Sequence, residues 1–151
     1  MDMDKDEFDV DSESICVGDQ PTGKTILWVE DDLLLSDMIS RKCTINNCTL
    51  LHAIDSIQAF SILSKTIPDI IILDILLPGK NGFEILEEIK SKEETKNIPV
   101  VILSNFGQQE EIEKGLKLGA EKYLVKATLT LDEILIQVNN VLNKHIKNSQ
   151  S

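Results

Sequence analysis

The sequence lacks an apolar run long enough to cross a membrane. Its longest apolar stretch, residues 70–77, is interrupted by Asp74, whereas a membrane-spanning helix needs about 20 apolar residues. The chain begins with acidic residues and has neither the basic nor the apolar segment of a secretory signal peptide. Together these absences predict a soluble protein of the cytoplasm.

Cysteine is also scarce. The three cysteines, Cys16, Cys43 and Cys48, are odd in number and include no CxxC pair. This pattern fits a reducing compartment better than a disulfide framework. The spacing of Cys43, Cys48 and His52 matches no common zinc pattern, so buried thiols are expected there rather than a metal cluster.

Basic residues are few compared with acidic ones. The chain contains 15 Lys and Arg against 26 Asp and Glu, which gives a net charge of −11 at pH 7. Such a charge repels a nucleic acid backbone and an anionic membrane surface, and the sequence has no basic patch that would reverse this locally. We therefore expect neither nucleic acid nor membrane as a direct partner.

The acidic charge is concentrated at the N-terminus. Residues 1–22 hold eight acidic residues and one basic residue, with too few apolar side chains to offset the entropy of ordering the backbone. They are predicted to form a disordered acidic tail. A length of 151 residues suits one domain, which we place at residues 23–146, with a short tail at residues 147–151.

Within that domain, short apolar runs alternate with segments of helical periodicity. The runs are typical of strands that are covered on both faces of a parallel sheet. Five repeats of strand and helix predict a doubly wound α/β domain with right-handed crossovers. The predicted strands are Ile26–Val29, Leu50–Ala53, Ile70–Leu73, Val100–Leu103 and Tyr123–Val125, and the helical stripes are Leu34/Leu35/Met38/Ile39, Ile57/Phe60/Leu63, Ile85/Leu86/Ile89, Ile112/Leu116 and Leu131/Ile134/Leu135/Val138/Val141/Leu142.

Residues Gly18–Thr25 match the GxxxxGK[ST] pattern of the phosphate-binding loop of nucleotide hydrolases. That loop must join a strand to a helix, because backbone N–H groups at the helix N-terminus hold the phosphates. Here the acidic tail precedes Gly18 and a predicted strand follows Thr25. We favour a linker, and a nucleotide hydrolase stays as an alternative.

Charged and hydroxyl side chains follow four of the five predicted strands. Glu30, Asp31 and Asp32 follow the first, and the third, fourth and fifth end in Asp74, Ser104 and Lys126. Ligands of open parallel sheets bind at the carboxyl edge, where these side chains would meet. Clustered carboxylates suit a hard divalent cation such as Mg²⁺, and one of them could attack phosphorus. Asp32 is better explained as a helix cap.

These segments resemble the receiver domain of two-component response regulators. The resemblance covers roughly residues 24–145, with four motifs in matching order and spacing. The motifs are Val29–Asp32 as the acidic pair, Pro68–Gly82 as the phosphoacceptor segment, Leu103–Asn105 with the switch hydroxyl, and Gly119–Lys126 with the switch aromatic and the lysine.

The resemblance implies a flavodoxin-like fold with strand order 2-1-3-4-5, and it implies roles for individual residues. Asp74 would accept a phosphoryl group from a sensor kinase phosphohistidine, while Ser104 and Lys126 would bind the phosphoryl oxygens. Tyr123 would move with Ser104 and reshape the face of helix 4, strand 5 and helix 5. The implied Mg²⁺ ligands are Glu30 (through water), Asp31, Asp74 and the backbone carbonyl of Leu76.

The sequence departs from the family pattern beside the site. Ala127 follows Lys126 where the family has a proline after a cis bond, so a trans bond is expected. Asn105 takes the place of a small residue next to the switch hydroxyl. Leu76 and Phe106 add apolar bulk that we expect to shield an acyl phosphate from water.

Little sequence follows residue 147, so we expect a stand-alone receiver without a DNA-binding output domain. The resemblance implies a phosphoacceptor rather than an enzyme. We expect output through a downstream protein or through phosphorelay to a histidine phosphotransfer protein, and a monomer or a weak phosphorylation-dependent dimer. A receiver-fold adaptor that is not phosphorylated is a further alternative.

Overall fold

The computed structural model describes residues 23–150, and its side chains to residue 145. Five parallel strands alternate with five helices, which confirms the predicted doubly wound α/β class. The strands are β1 (Thr25–Val29), β2 (Thr49–Ala53), β3 (Ile70–Leu73), β4 (Val100–Ser104) and β5 (Lys122–Val125), and the helices are α1 (Leu33–Ile45), α2 (Ser56–Leu63), α3 (Gly82–Ser91), α4 (Gln109–Lys117) and α5 (Leu131–Gln150), with a 3₁₀ turn at Lys126–Thr128.

The strand order in the sheet is β2-β1-β3-β4-β5. This is the flavodoxin-like order that the resemblance implied, and β1 pairs with both β2 and β3. The chain leaves β1 in one direction to form β2 and returns on the other side to form β3. The crevice between the carboxyl ends of β1 and β3 is therefore the switch point where such folds bind ligands.

Alternate residues of the strands enter two apolar clusters, one on each face of the sheet. Leu27, Val29, Ile71 and Leu73 pack with residues of α2 and α3. The intervening residues, including Trp28, pack with residues of α1 and α5. Because both faces are covered, the central strands are apolar at every position, and polar side chains begin only where the strands end.

The predicted helical stripes were wrong at four positions, since Leu34, Met38, Ile57 and Leu116 are exposed. Small residues lie buried nearby instead, at Ser36 in α1, Ala59 in α2 and Gly115 in α4. A Cβ atom on Gly115 would lie 2.6 Å from the Ile102 side chain. These helices approach the sheet through small residues. A pattern of large apolar side chains does not indicate such contacts. The stripes of α3 and α5 were correct.

The C-terminal end of the chain differs from the sequence prediction, and the N-terminal end lies outside the residues that the structure describes. Helix α5 continues to Gln150, so residues 147–150, expected as a tail, are helical. The predicted acidic tail at residues 1–22 lies outside the described residues, as does most of Gly18–Thr25. Thr25 begins strand β1, whereas a phosphate-binding loop needs a helix there.

The loop between β3 and α3 is held by a close backbone contact. The N–H of Gly82 donates to the carbonyl of Ile75 at 2.8 Å. A Cβ atom on Gly82 would lie 2.2 Å from the carbonyl oxygen of Asp74 and 2.7 Å from Cα of Ile75. Only glycine fits, because neither backbone atom can move without displacing the end of β3.

Gly82→Ala is therefore expected to lower the free energy of unfolding by about 1–3 kcal/mol, as overpacking does in other cores. Urea unfolding followed by circular dichroism measures the change. Gly107→Ala is the matched control, because its Cβ atom would lie 3.4 Å from the Val125 side chain, an ordinary contact. Equal unfolding midpoints for the two variants would contradict this explanation.

Candidate functional site

Asp74 lies at the centre of the carboxyl edge. It follows β3 directly, and its N–H donates to the carbonyl of Val29 at 3.0 Å. The residue is 7% exposed. Its Oδ1 accepts from the N–H of Ile75 at 2.7 Å, and its Oδ2 lies 3.1 Å from Nζ of Lys126. A buried carboxylate is thus held by one backbone donor and one ammonium group.

Glu30 follows β1 and is the more deeply buried acid, at 2% exposed. Its Oε1 forms an ion pair with Lys126, and its Oε2 accepts from the N–H of Asp32 at 3.1 Å. The pKa of Glu30 is raised from 4.5 to about 7, chiefly by burial and also by the charge of Asp74, while the hydrogen bonds from Lys126 and the Asp32 N–H oppose the rise. Lys126 therefore favours the charged form of Glu30, which burial disfavours.

Lys126 joins the two acids across the crevice. It follows β5, and its ammonium contacts both Glu30 and Asp74. Burial lowers its pKa, but the Glu30 hydrogen bond and the charge of Asp74 outweigh burial and leave the pKa raised. The lysine is therefore a fixed positive charge between two carboxylates at neutral pH.

Asp31 completes an acidic group. One carboxylate oxygen each from Glu30, Asp31 and Asp74 can lie within 4.8 Å of the others. Asp31 is exposed, and Asp32 beside it caps α1 by accepting from the N–H of Leu35 at 3.1 Å. Oxygen ligands around an open position fit Mg²⁺, which prefers carboxylates and retained water.

Ser104 and Tyr123 are linked through the backbone of one residue, Phe106, which the sequence did not reveal. Ser104 is buried, and its Oγ accepts from the N–H of Phe106 at 3.1 Å. The hydroxyl of Tyr123 donates to the carbonyl of Phe106 at 2.7 Å. The backbone of Phe106 thus connects the hydroxyl at the site to the aromatic ring on β5.

The pocket around these groups has a volume of about 620 Å³. Its floor is polar, formed by Glu30, Asp74, Ser104 and Lys126, and its exposed rim includes two large apolar side chains beside polar ones. Leu76 is 67% exposed and Phe106 is 44% exposed. Tyr123 does not line the pocket. The residues that line it are Glu30, Asp31, Asp32, Asp74, Leu76, Leu77, Pro78, Ser104, Asn105, Phe106 and Lys126.

The family comparison agrees with this geometry. A model of the response regulator receiver domain family matches residues 26–139, most of the chain. The chain belongs to this family. The region matched begins in β1 and ends within α5, so it includes all the strand ends that form the pocket of the receiver domain.

Several known proteins resemble the receiver domain. The phosphate regulon transcriptional regulatory protein PhoB of Pseudomonas aeruginosa is 35% identical over 104 residues, which are 69% of this chain and 45% of PhoB. The Mn²⁺-bound form of response regulator Rcp1 is 28% identical with a TM-score of 0.68, covering 77% of this chain and 91% of Rcp1. The phosphorylated cyanobacterial phytochrome response regulator RcpA is 30% identical with a TM-score of 0.66, covering 76% and 87%.

The receiver domain spans about half the length of the curated relatives that it matches. Among its described helices, none is long and apolar enough to cross a membrane. The bond between Lys126 and Ala127 is trans, since the described residues contain no cis peptide. Among the described residues, the only group of three or more potential metal ligands is Glu30, Asp31 and Asp74, so Cys43, Cys48 and His52 form no such group.

Proposed function

We propose that Asp74 accepts a phosphoryl group from a phosphohistidine of a sensor kinase or histidine phosphotransfer protein. The observation that carries this proposal is the pairing of a buried strand-end carboxylate with Lys126 at 3.1 Å in a pocket that also contains Ser104. A carboxylate oxygen of Asp74 attacks phosphorus, and the bond from phosphorus to the imidazole nitrogen breaks. The nitrogen keeps the electron pair, and Asp74 becomes an acyl phosphate.

Lys126 and Ser104 bind the phosphoryl oxygens in this proposal. The ammonium of Lys126 already faces Asp74, so it needs little rearrangement to stabilise negative charge on the transferred group. Ser104 supplies a hydroxyl to a second oxygen. To do so, its Oγ must turn from the N–H of Phe106, and the Tyr123 bond to the Phe106 carbonyl must adjust with it.

Mg²⁺ is the proposed cofactor, held by Asp31, Asp74 and the carbonyl of Leu76, with Glu30 acting through water. The bound ion would neutralise charge shared between the carboxylates and the phosphoryl oxygens. The three carboxylates within 4.8 Å support this assignment, as does the metal-bound form of the related Rcp1.

The movement of Ser104 and Tyr123 is the proposed route to output. Tyr123 lies on β5 next to α4, and a change in its hydrogen bond would alter the face formed by α4, β5 and α5. That face is proposed to bind a downstream protein, or the phosphoryl group passes onward by phosphorelay.

We also propose that the protein is a stand-alone receiver and not an enzyme, that it acts in the cytoplasm without contacting nucleic acid or membrane directly, and that it is a monomer or a weak dimer.

We also propose that an acidic tail at residues 1–22 precedes the receiver domain. The nucleotide hydrolase alternative is disfavoured because Thr25 begins a strand. The non-phosphorylated adaptor is the second candidate.

Incubation with acetyl phosphate and Mg²⁺, followed by intact mass spectrometry, tests the phosphoacceptor. The wild-type protein is expected to gain the mass of one phosphoryl group, and Asp74→Asn is expected to gain none. Asp37→Asn, which alters an exposed acid of α1 paired with Arg41, should be phosphorylated like the wild type. An adduct that persists in Asp74→Asn would contradict the assignment, and no adduct in any form would favour the adaptor.

The two exposed apolar side chains at the pocket rim predict a long-lived acyl phosphate. Leu76 and Phe106 flank the pocket, where apolar side chains hinder the approach of the attacking water. Leu76→Asn combined with Phe106→Glu is expected to shorten the half-life of the phosphorylated protein several-fold, measured by loss of radiolabelled phosphate.

The control for that measurement is Ile57→Asn, which replaces an exposed apolar residue on α2 that does not line the pocket. Its half-life should match that of the wild type. Decay of the double variant at the wild-type rate would show that the rim does not limit hydrolysis.

A further inference from the structure

His52 contacts the backbone between the two acids that follow β1. It lies in β2, opposite Trp28 of β1, and is half-buried. Its Nε2 lies 2.7 Å from the carbonyl oxygen of Glu30 and 2.9 Å from Oγ of Ser36. One imidazole nitrogen thus reaches both the end of β1 and the first turns of α1.

The direction of the first hydrogen bond follows from chemistry. A carbonyl oxygen can only accept, so Nε2 of His52 carries the hydrogen and donates it to Glu30. Ser36 is buried and offers its hydroxyl oxygen as a second acceptor for the same N–H group. The contact to Glu30 is the shorter of the two.

The peptide that accepts this bond joins Glu30 to Asp31. The remaining bonds of the loop hold its neighbours, since the N–H of Glu30 donates to Ala53 and the N–H of Asp32 donates to the Glu30 carboxylate. The side chain of Asp31 makes no hydrogen bond or ion pair with any described residue. The direction of the Asp31 carboxylate therefore depends on the orientation of its backbone.

We propose that His52 is a positioning residue for the metal ligands, because its N–H fixes the plane of the Glu30–Asp31 peptide and so aims Asp31 at the cation. This inference rests on the proposed function, in which Asp31 is a ligand of Mg²⁺. Groups that orient ligands in this way are often nearly as important for metal affinity as the ligands themselves.

A purely structural role for His52 would be to tie β2 to α1. That role would change the stability of the fold and leave the Mg²⁺ affinity of the folded protein unaltered. Calorimetric titration with MgCl₂ and urea unfolding therefore separate the two roles, and neither depends on phosphorylation.

The experiment compares His52→Phe, which keeps a ring but loses the donor, with His52→Gln, whose side-chain amide can donate from a similar position. We expect His52→Phe to bind Mg²⁺ roughly tenfold more weakly, at the lower end of the effects seen for groups that orient ligands. His52→Gln should recover most of the affinity. His145→Phe is the control, since this half-buried histidine of α5 contacts Glu121, outside the pocket.

Ser36→Ala provides an independent test, because it removes the link to α1 and keeps the bond to Glu30. Its Mg²⁺ affinity should stay within about twofold of the wild-type value, given that it removes no group in contact with a ligand. An affinity loss in Ser36→Ala as large as that expected for His52→Phe would overturn the inference. If His52→Phe does not fold, His52→Leu replaces it.

Wild-type affinity in His52→Phe, or no recovery in His52→Gln, would overturn the role of His52 and leave the proposed function intact. A wild-type protein that binds no Mg²⁺ would contradict the metal assignment itself, and the inference with it.

Discussion

The ammonium group of Lys126 lies between the carboxylates of Glu30 and Asp74, and the site depends on this contact. Two buried acids repel each other and lose hydration, and a neighbouring ammonium group offsets part of both costs. The pKa of Glu30, raised to about 7, shows that the charged and protonated forms of this acid are close in free energy at neutral pH. The lysine supplies a positive charge to both acidic groups before any metal or phosphoryl group arrives. The pocket is thus a compensated cluster of charges rather than an acidic patch open to solvent.

The fold creates this contact by aligning strand ends. Glu30, Asp74 and Lys126 are distant in sequence; the first two follow central strands with buried apolar interiors, and Lys126 follows the edge strand β5. In a parallel sheet all these ends lie on one edge, so the alternation of strand and helix is enough to bring them together. Gly82 allows α3 to start against the end of β3, and His52 and Asp32 fix the loop that follows β1. The chemistry is therefore carried by loops whose positions the core determines.

Most of the fold and most of the pocket could be predicted from the sequence, and the gaps have physical causes. Apolar runs ending in Asp74 or Lys126 identify strands and their functional edge. Helix faces were harder, because Ser36 and Gly115 lie against the sheet where larger apolar neighbours were expected. Contacts between side chains and distant backbone, such as His52 with Glu30 and Tyr123 with Phe106, leave no periodic signal. The receiver resemblance supplied the strand order and the residue roles, which periodicity alone does not contain.

The charge balance at Lys126 can be tested directly by measuring Mg²⁺ affinity in Lys126→Gln. If the ammonium and the metal share the negative potential of Glu30 and Asp74, removal of the ammonium should strengthen Mg²⁺ binding several-fold, because two like charges no longer compete. Titration calorimetry compares the variant with the wild type at a pH well above 7, because loss of the Lys126 hydrogen bond would itself raise the pKa of Glu30 above its wild-type value of about 7. Tighter binding in the variant is the predicted result. Weaker or unchanged binding would contradict the view that Lys126 balances the acids in the metal-free protein.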